Sequence, residues 1–345
     1  MSYNRKYFEY LKYFLSQSSL RDYYKILKFK YISFYQQKIC TTNIQIPDLS
    51  TTTVHIQSTN ICNANCRFCA YGKVKSVTPN FMTSDIFQKA VSDYIDFGGK
   101  TISLNCTIGD PLLDKDIIKK IRFLREKSPK ASIYLFTNLL FLDKYDINEF
   151  LTSGLNRLEI STTAFDSDSY RRVYGSIQYR RFLNNIACLL KRNTELNNPI
   201  KIIIQFRLDA PPWRFYSSSD YLHLKKYLIK VPYNILYNYD SWHGIINNSN
   251  MSGSMKISKP CIINYPCRRI TNPAIYTNGD VIACACRVSQ TGEHPLKIGN
   301  IKNNTLNNIW KNEKHNELFQ SFFKRKTILD ICRDCSFYTP YTYKT

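Results

Sequence analysis

The residues of this 345-residue sequence best equipped for chemistry are its 12 cysteines: Cys40, Cys62, Cys66, Cys69, Cys106, Cys188, Cys261, Cys267, Cys284, Cys286, Cys332 and Cys335. Three of them, in Cys62-Asn-Ala-Asn-Cys66-Arg-Phe-Cys69, are close enough to bind one metal centre, and no fourth cysteine or histidine stands in the same loop. A structural zinc site takes four protein ligands. Three thiolates with an open fourth position suit instead a [4Fe–4S] cube whose last iron is left for a ligand, while zinc with a distant fourth thiol is the competing reading of the same spacing. An open iron is a reactive iron.

Such a loop needs a rigid scaffold, and the residues on either side of it predict one. Thr53-Val-His-Ile-Gln-Ser-Thr59 has the β-branched content of a strand, and Thr83-Ser84-Asp85 caps a helix over Ile86 to Phe97. After Gly98-Gly99 the alternation continues: strand 101–106, helix 114–126, strand 132–137, helix 145–151, strand 157–162, helix 181–192, strand 201–206, helix 221–229, strand 233–237. Six strands separated by helices predict a parallel, right-handed α/β array, a partial (β/α)6 TIM-like barrel. Barrels of this kind carry their chemistry on loops at the C-terminal ends of the strands, where the cysteine loop falls.

The C-x3-C-x2-C spacing with Phe68 before the last cysteine resembles the signature of radical S-adenosylmethionine (radical SAM) enzymes. The resemblance implies that Cys62, Cys66 and Cys69 hold a [4Fe–4S] cluster whose open iron chelates SAM, and that Phe68 packs near the adenine. Thr107-Ile108-Gly109-Asp110-Pro111-Leu112 resembles the family's Gly-Gly-Glu-Pro segment, which holds the methionine amino group, and departs from it at Ile108 and Asp110. Gly109 and Asp110 are therefore cofactor candidates, with a plain strand-to-helix turn as the alternative. Thr137-Asn138 matches a Thr-Asn pair near the cofactor, and Ser161 stands where a fourth-strand hydroxyl often meets SAM. Gln205 and Arg207 interrupt an apolar run on the fifth strand and point either into the barrel or to solvent.

Beyond Trp242 the rhythm stops, and Asn247 to Lys259 reads as a polar linker. Then follow Cys267, a hairpin turn at Asn278-Gly279-Asp280 between Ala274-Ile-Tyr276 and Val281-Ile282, Cys284, and Cys332-x2-Cys335. This arrangement resembles the SPASM or shorter twitch domain of many radical SAM enzymes, a small α+β iron–sulfur module. The resemblance implies one auxiliary [4Fe–4S] cluster on Cys267, Cys284, Cys332 and Cys335, with Cys261 as an alternative first ligand and a zinc knuckle as the alternative metal. Cys286 and Cys261 are left over; either is a hydrogen-atom donor to a substrate radical or a buried thiol. Cys40, Cys106 and Cys188 are expected to be structural.

The expected organisation is a basic, aromatic N-terminal segment over 1–50, a radical SAM barrel over 51–242, and the linker with the auxiliary domain over 243–345. The resemblance implies cleavage of SAM to a 5′-deoxyadenosyl radical that abstracts a substrate hydrogen. Oxidation or epimerisation of a carbohydrate-like or cyclitol substrate is expected, small or carried on an anionic or lipid-linked carrier, with the auxiliary cluster accepting an electron and Arg207 assisting proton loss. Peptide or protein modification is the enzymatic alternative, and a flavodoxin or ferredoxin is the expected electron donor.

Composition sets the outer limits. A 43% hydrophobic content allows a large core, and the N-terminus has no signal-peptide h-region, so reduced thiols in a cytoplasmic protein are expected. The net charge of +22 is scattered along the chain rather than massed, so it predicts attraction to polyanions without favouring nucleic acid. Its most suggestive portion is the first forty residues, where Arg5, Lys6, Lys12, Arg21, Lys25, Lys28, Lys30 and Lys38 face only Glu9 and Asp22 among many aromatics. That segment either packs as helices on the barrel or lies on an anionic membrane surface.

Overall fold

The computed structural model describes residues 3–18, 20–39, 45–74, 78–105, 107–290, 292–323 and 327–342, with residues 3–7 and 39 described by their backbone alone. Cys40 and Cys106 lie outside the described residues. Two helices lead, α1 (Tyr3–Gln17) and α2 (Leu20–Ile39). The barrel portion then runs β1 (Thr53–Ile56), α3 (Ser84–Asp96), β2 (Thr101–Ser103), α4 (Ile117–Lys127), β3 (Ser132–Thr137), α5 (Ile147–Leu151), β4 (Arg157–Thr162), α6 (Ser167–Tyr174), α7 (Tyr179–Glu195), β5 (Lys201–Arg207), α8 (Trp213–Tyr216), α9 (Ser219–Leu228) and β6 (Tyr233–Leu236). The C-terminal part contributes β7 (Asn238–Tyr239), β8 (Lys256–Ile257), β9 (Ala274–Ile275), β10 (Asp280–Ile282), β11 (Lys297–Asn300), α10 (Leu306–Trp310), α11 (Glu313–Gln320) and α12 (Asp330–Arg333).

The six barrel strands pair in parallel and in chain order, β1 through β6, as their alternation with helices predicts. One face of the sheet is apolar: Val54, Ile102, Ile133, Leu158, Ile202 and Ile204 are buried in a core shared with Phe87 and Ala90 of α3 and Ile186 and Leu189 of α7. Each such side chain contributes about 1.5–3 kcal/mol by leaving water. The period of two along each strand places Arg157, Glu159, Ser161, Gln205 and Arg207 on the opposite, concave face. The result is a partial TIM-like barrel with a polar lumen.

Two differences from expectation concern the C-terminal part. It does not stand apart as a separate small α+β module: β9 pairs in parallel with β1 (His55 with Ala274, Ile56 with Ile275), and β10 and β11 extend the sheet antiparallel, so nine strands run in the order β11-β10-β9-β1-β2-β3-β4-β5-β6. The expected linker is also partly ordered by pairing, since β8 lies parallel to β7 in a small second sheet. The hairpin turn forms at Asn278-Gly279-Asp280, where Gly279 has φ +89° and a side chain would strain the turn.

Helices α1 and α2 pack on the rest of the chain. Tyr10 stacks on Trp213 at 4.9 Å, Tyr13 meets Tyr237 edge-on at 5.2 Å, and the Gln17 amide donates to the Ser254 carbonyl at 3.0 Å. From α2, Lys25 donates to the Ser336 carbonyl at 2.8 Å and Phe29 meets Tyr338. Trp213 and Tyr237 follow the C-terminal ends of β5 and β6, so the helices sit at the mouth side of the barrel. Among the described residues no helix is long and apolar enough to cross a membrane.

Candidate active site

The chain leaves β1 through Ser58-Thr59-Asn60 and enters the cysteine loop, which is fixed from four directions. The Asn65 and Arg67 amides donate to the Tyr174 and Val173 carbonyls at the end of α6 (3.1 and 3.0 Å). Lys73 donates to the Cys66 and Cys69 carbonyls, both at 2.9 Å, and Trp242 Nε1 donates to the Phe68 carbonyl at 2.9 Å. The Tyr71 amide donates to Cys69 Sγ at 3.4 Å. Burial first, and the Asp110 carboxylate second, push the Cys62 thiol up to about 12; burial and the neighbouring thiols raise Cys66 well above its ordinary value, and burial raises Cys69, while Arg207 and Lys73 oppose the rise at Cys66 and Cys69. Three crowded, desolvated thiols ionise together only around a cationic centre, which is what a cluster iron supplies. The buried Tyr170 hydroxyl and Asn63 Nδ2 find no partner among the described residues, as expected of donors that face a group the chain itself does not provide. The donor set therefore fits a cluster with SAM beside it.

The other candidates surround this loop. Gly109 has φ +103°, and a Cβ there would come within 2.3 Å of the Thr59 carbonyl, so only glycine lets the loop after β2 lie this close to the start of the cysteine loop. Asp110 is buried, and its carboxylate accepts from the Leu112 amide (3.0 Å), the Thr137 hydroxyl (2.9 Å) and the Asn138 amide (2.7 Å). It therefore caps the turn Pro111–Leu113 and ties the β2 loop to the end of β3, the turn role weighed above, with its oxygens already engaged. The Asn138 side chain reaches the cysteine loop, donating to Asn63 Oδ1 at 2.7 Å and approaching Cys62 Sγ at 3.8 Å. The Ser161 hydroxyl bonds Tyr174 OH at 2.9 Å.

Arg207 points into the lumen rather than to solvent. Its Nε donates to Ser161 Oγ at 3.1 Å and its guanidinium lies 4.6 Å from the Phe68 ring centroid, with Phe68 stacked in turn on Tyr239. A guanidinium stays charged in proteins, so Arg207 can assist proton loss only by orienting groups and stabilising negative charge, and the proton itself needs another acceptor. The group suited to that is Glu159, whose carboxylate is held by Gln205 Nε2 at 2.6 Å and Arg157 Nε at 3.0 Å. Sequence reasoning passed over Glu159, although its position two residues before Ser161 was the signal that both share a face.

The second thiol group gathers five cysteines. Cys267, Cys284, Cys332 and Cys335 are buried and Cys286 is partly buried. Burial raises Cys332 and Cys335 above the ordinary thiol value, with neighbouring thiols, Cys267 among them, adding to the rise, and Cys284 is raised by its hydrogen bond with Cys286, by burial and by Cys286, Cys267 and Cys335 nearby. The Cys286 thiol is lowered chiefly by its hydrogen bond with Cys284, with Arg269 and Arg287 beside it. In Cys267 and Cys284 the sulfur accepts the amide two residues ahead (Arg269 at 3.3 Å, Cys286 at 3.4 Å), the same turn as at Cys69. Cys261 is buried beside Lys25, Asp22 and Lys30 of α2, and Cys188 is exposed on α7. Arg287, fully buried, is ion-paired to Asp240, lies near Cys284, Cys332 and Cys335, and leaves Nε and Nη2 without a partner among the described residues. Cys267, Cys284, Cys332 and Cys335 are the thiols that would hold an auxiliary cluster.

Comparison with known proteins gives a consistent result. A model described as the radical SAM superfamily matches residues 56–204, and one described as an iron–sulfur cluster-binding domain, SPASM, matches residues 267–336. A GTP 3′,8-cyclase of Lactiplantibacillus plantarum is 26% identical over 40% of this chain and 41% of its own, and one of Limosilactobacillus fermentum is 26% identical over 39% and 40%. The chain thus spans about two fifths of the length of the curated relatives it matches. Among solved structures, BtrN in complex with AdoMet and 2-DOIA aligns with TM-score 0.53 at 18% identity, covering 83% of this chain and 92% of that one. Streptococcus suis SuiB bound to S-adenosylmethionine aligns with TM-score 0.54 at 15% identity (86% and 74%), and anSMEcpe with bound AdoMet and Kp18Cys peptide with 0.54 at 17% (79% and 83%). At these identities the likeness is one of fold.

Proposed function

From the premise that the chain belongs to the radical SAM superfamily and carries a C-terminal SPASM domain, we propose that it oxidises or epimerises a small, hydroxyl-rich substrate of carbohydrate or cyclitol type. When bound, SAM and the cluster on Cys62, Cys66 and Cys69 supply a hydrogen-abstracting 5′-deoxyadenosyl radical, and a second cluster on Cys267, Cys284, Cys332 and Cys335 supplies an electron acceptor. The remaining work falls to the chain. Asn138 and Trp242 hold the cysteine loop, Ser161 and Arg207 line the cofactor side, and Phe68 shields it.

The observation that carries the substrate class is the lumen polarity. A buried carboxylate, Glu159, accepts a hydrogen bond from Gln205 and is ion-paired with Arg157, with the Arg207 cation one register step away. A donor, a cation and an acceptor on rigid strands suit the hydroxyls of a sugar-like ring, and in this reading Glu159 would receive the proton that a carbinol loses as its hydrogen atom and electron leave. Peptide modification stays the second reading, because the aligned structures include anSMEcpe with a bound peptide.

The test is anaerobic reconstitution followed by incubation with deuterated candidate alcohols and a flavodoxin or ferredoxin as electron donor. Deuterium in 5′-deoxyadenosine together with a ketone or inverted carbinol supports the proposal. Deuterium transfer from a peptide and from no cyclitol or sugar would replace it with the second reading.

A further inference from the structure

The proposed chemistry leaves the N-terminal helices without a role, and their faces are arranged in an unusual way. A surface helix normally turns its apolar stripe inward and its polar residues outward. In α1 and α2 the inward face carries Glu9, Ser16, Ser33 and Gln36, all buried, around the aromatic contacts of Tyr13 and Phe29. Outward, at helical spacing along α2, stand Leu20, Tyr24, Leu27, Tyr31 and Phe34, with Tyr24 67% and Tyr31 68% exposed. Phe8, Leu11 and Leu15 repeat the pattern on α1. A contiguous apolar stripe of this length in water is characteristic of a contact surface.

The charge on this surface narrows its partner. Lys12, Lys28, Lys30 and Lys38 are exposed beside the stripe, while Glu9 is buried and paired with Lys12. A second copy of the chain would bring one set of lysines against another. A surface that is apolar beneath and anionic above meets both features: the aromatic and leucine side chains enter the acyl boundary, and the lysines extend their methylene stems to reach phosphates. We propose that α1 and α2 form a docking face for an anionic lipid bilayer, lying flat on it without crossing, and so hold the barrel mouth, which these helices adjoin through Trp213 and Tyr237, close to the membrane surface.

The test uses the full chain carrying its clusters, sedimented anaerobically with vesicles of phosphatidylcholine alone or with about one third phosphatidylglycerol. Wild type is expected to sediment at least roughly tenfold more with the anionic vesicles, and less as salt is raised. Tyr24→Ser/Leu27→Ser/Tyr31→Ser should abolish sedimentation, and Lys28→Gln/Lys30→Gln should remove the preference for anionic lipid, both with SAM cleavage at the wild-type level. These residues are exposed and outside the site, so the fold is expected to be retained. Sedimentation that is equal with both vesicle types, or that the triple substitution leaves intact, overturns the proposal. So does a concentration-dependent dimer that the triple substitution dissociates, which would assign the face to a second copy of the chain.

Discussion

Asp240 is the residue whose loss should be felt furthest. It is fully buried just after β7, and its carboxylate accepts from the Trp242 amide at 2.7 Å, from the Ser336 amide at 2.8 Å and hydroxyl at 2.7 Å, and from the Arg287 guanidinium. Ser336 follows Cys335, Arg287 follows Cys286, and the Trp242 indole holds the Phe68 carbonyl of the other thiol loop. Asp240→Ala leaves Arg287, only 1% exposed, as a buried charge without its counter-ion. Removing one partner of such a pair costs about 3–5 kcal/mol, which for a chain of this length corresponds to a Tm lowered by roughly 4–7 °C. Calorimetry under anaerobic conditions measures this, and iron counting should show fewer than the about eight irons of the wild type. Arg287→Met in the Asp240→Ala background removes the stranded charge and should recover most of the lost stability. An unchanged Tm in Asp240→Ala, or a double variant no more stable than the single, would refute the reasoning.

Other expectations concern the two thiol groups and the barrel. Cys62→Ala, Cys66→Ala and Cys69→Ala should each abolish SAM cleavage, measured as 5′-deoxyadenosine under reduction; wild-type activity in any of them contradicts the assignment. Cys332→Ala should keep more SAM cleavage than product formation, read from the ratio of the two by liquid chromatography. Gly109→Ala forces a Cβ against the Thr59 carbonyl at a positive φ and should weaken SAM binding at least roughly tenfold by equilibrium dialysis, with unchanged affinity the contrary result. Burial holds the His55 imidazole down at about 4, so its neutral form favours the fold above the ordinary value of 6.5 and that contribution is lost as pH falls toward 4. Between pH 7 and pH 5 the urea midpoint should drop by the equivalent of about 2 kcal/mol, and His55→Asn should flatten the slope; an equal slope in both proteins argues against His55 as the source.

The parts of the fold that sequence reasoning reached are those whose signal is local. β3 and β4 were expected at 132–137 and 157–162 and span those residues: β-branched and aromatic side chains fill most of β3, and apolar and polar residues alternate along the start of β4. Helix α6 was missed: its inward residues Tyr170, Val173 and Tyr174 are interrupted by serine and arginines, and only Asp166, which caps Ser169, marks its start. The three-cysteine loop was legible from spacing alone, whereas the Asp240–Arg287 link joins residues 47 apart whose neighbours are unremarkable. The placement of Cys267 among the thiols, and of Cys261 beside α2, likewise depends on long-range packing that no local pattern encodes. Asp110 is a cofactor candidate by its place in a segment resembling Gly-Gly-Glu-Pro, and its hydrogen bonds to Leu112, Thr137 and Asn138 are those of the turn cap weighed beside that role.

The parallel pairing of β9 on β1 has a consequence for dissecting the chain. The His55 and Gln57 amides donate across that seam to the Pro273 and Ile275 carbonyls at 2.8 and 2.9 Å. A fragment ending before residue 267 would present β1 as a bare sheet edge with those amides unpaired, beside an apolar core, which is a template for edge-to-edge aggregation. What looks from the chain order like an appendage is the cover that keeps the barrel's first strand from recruiting a neighbour, so the barrel is expected to be recovered in dispersed form only when the C-terminal strands are present.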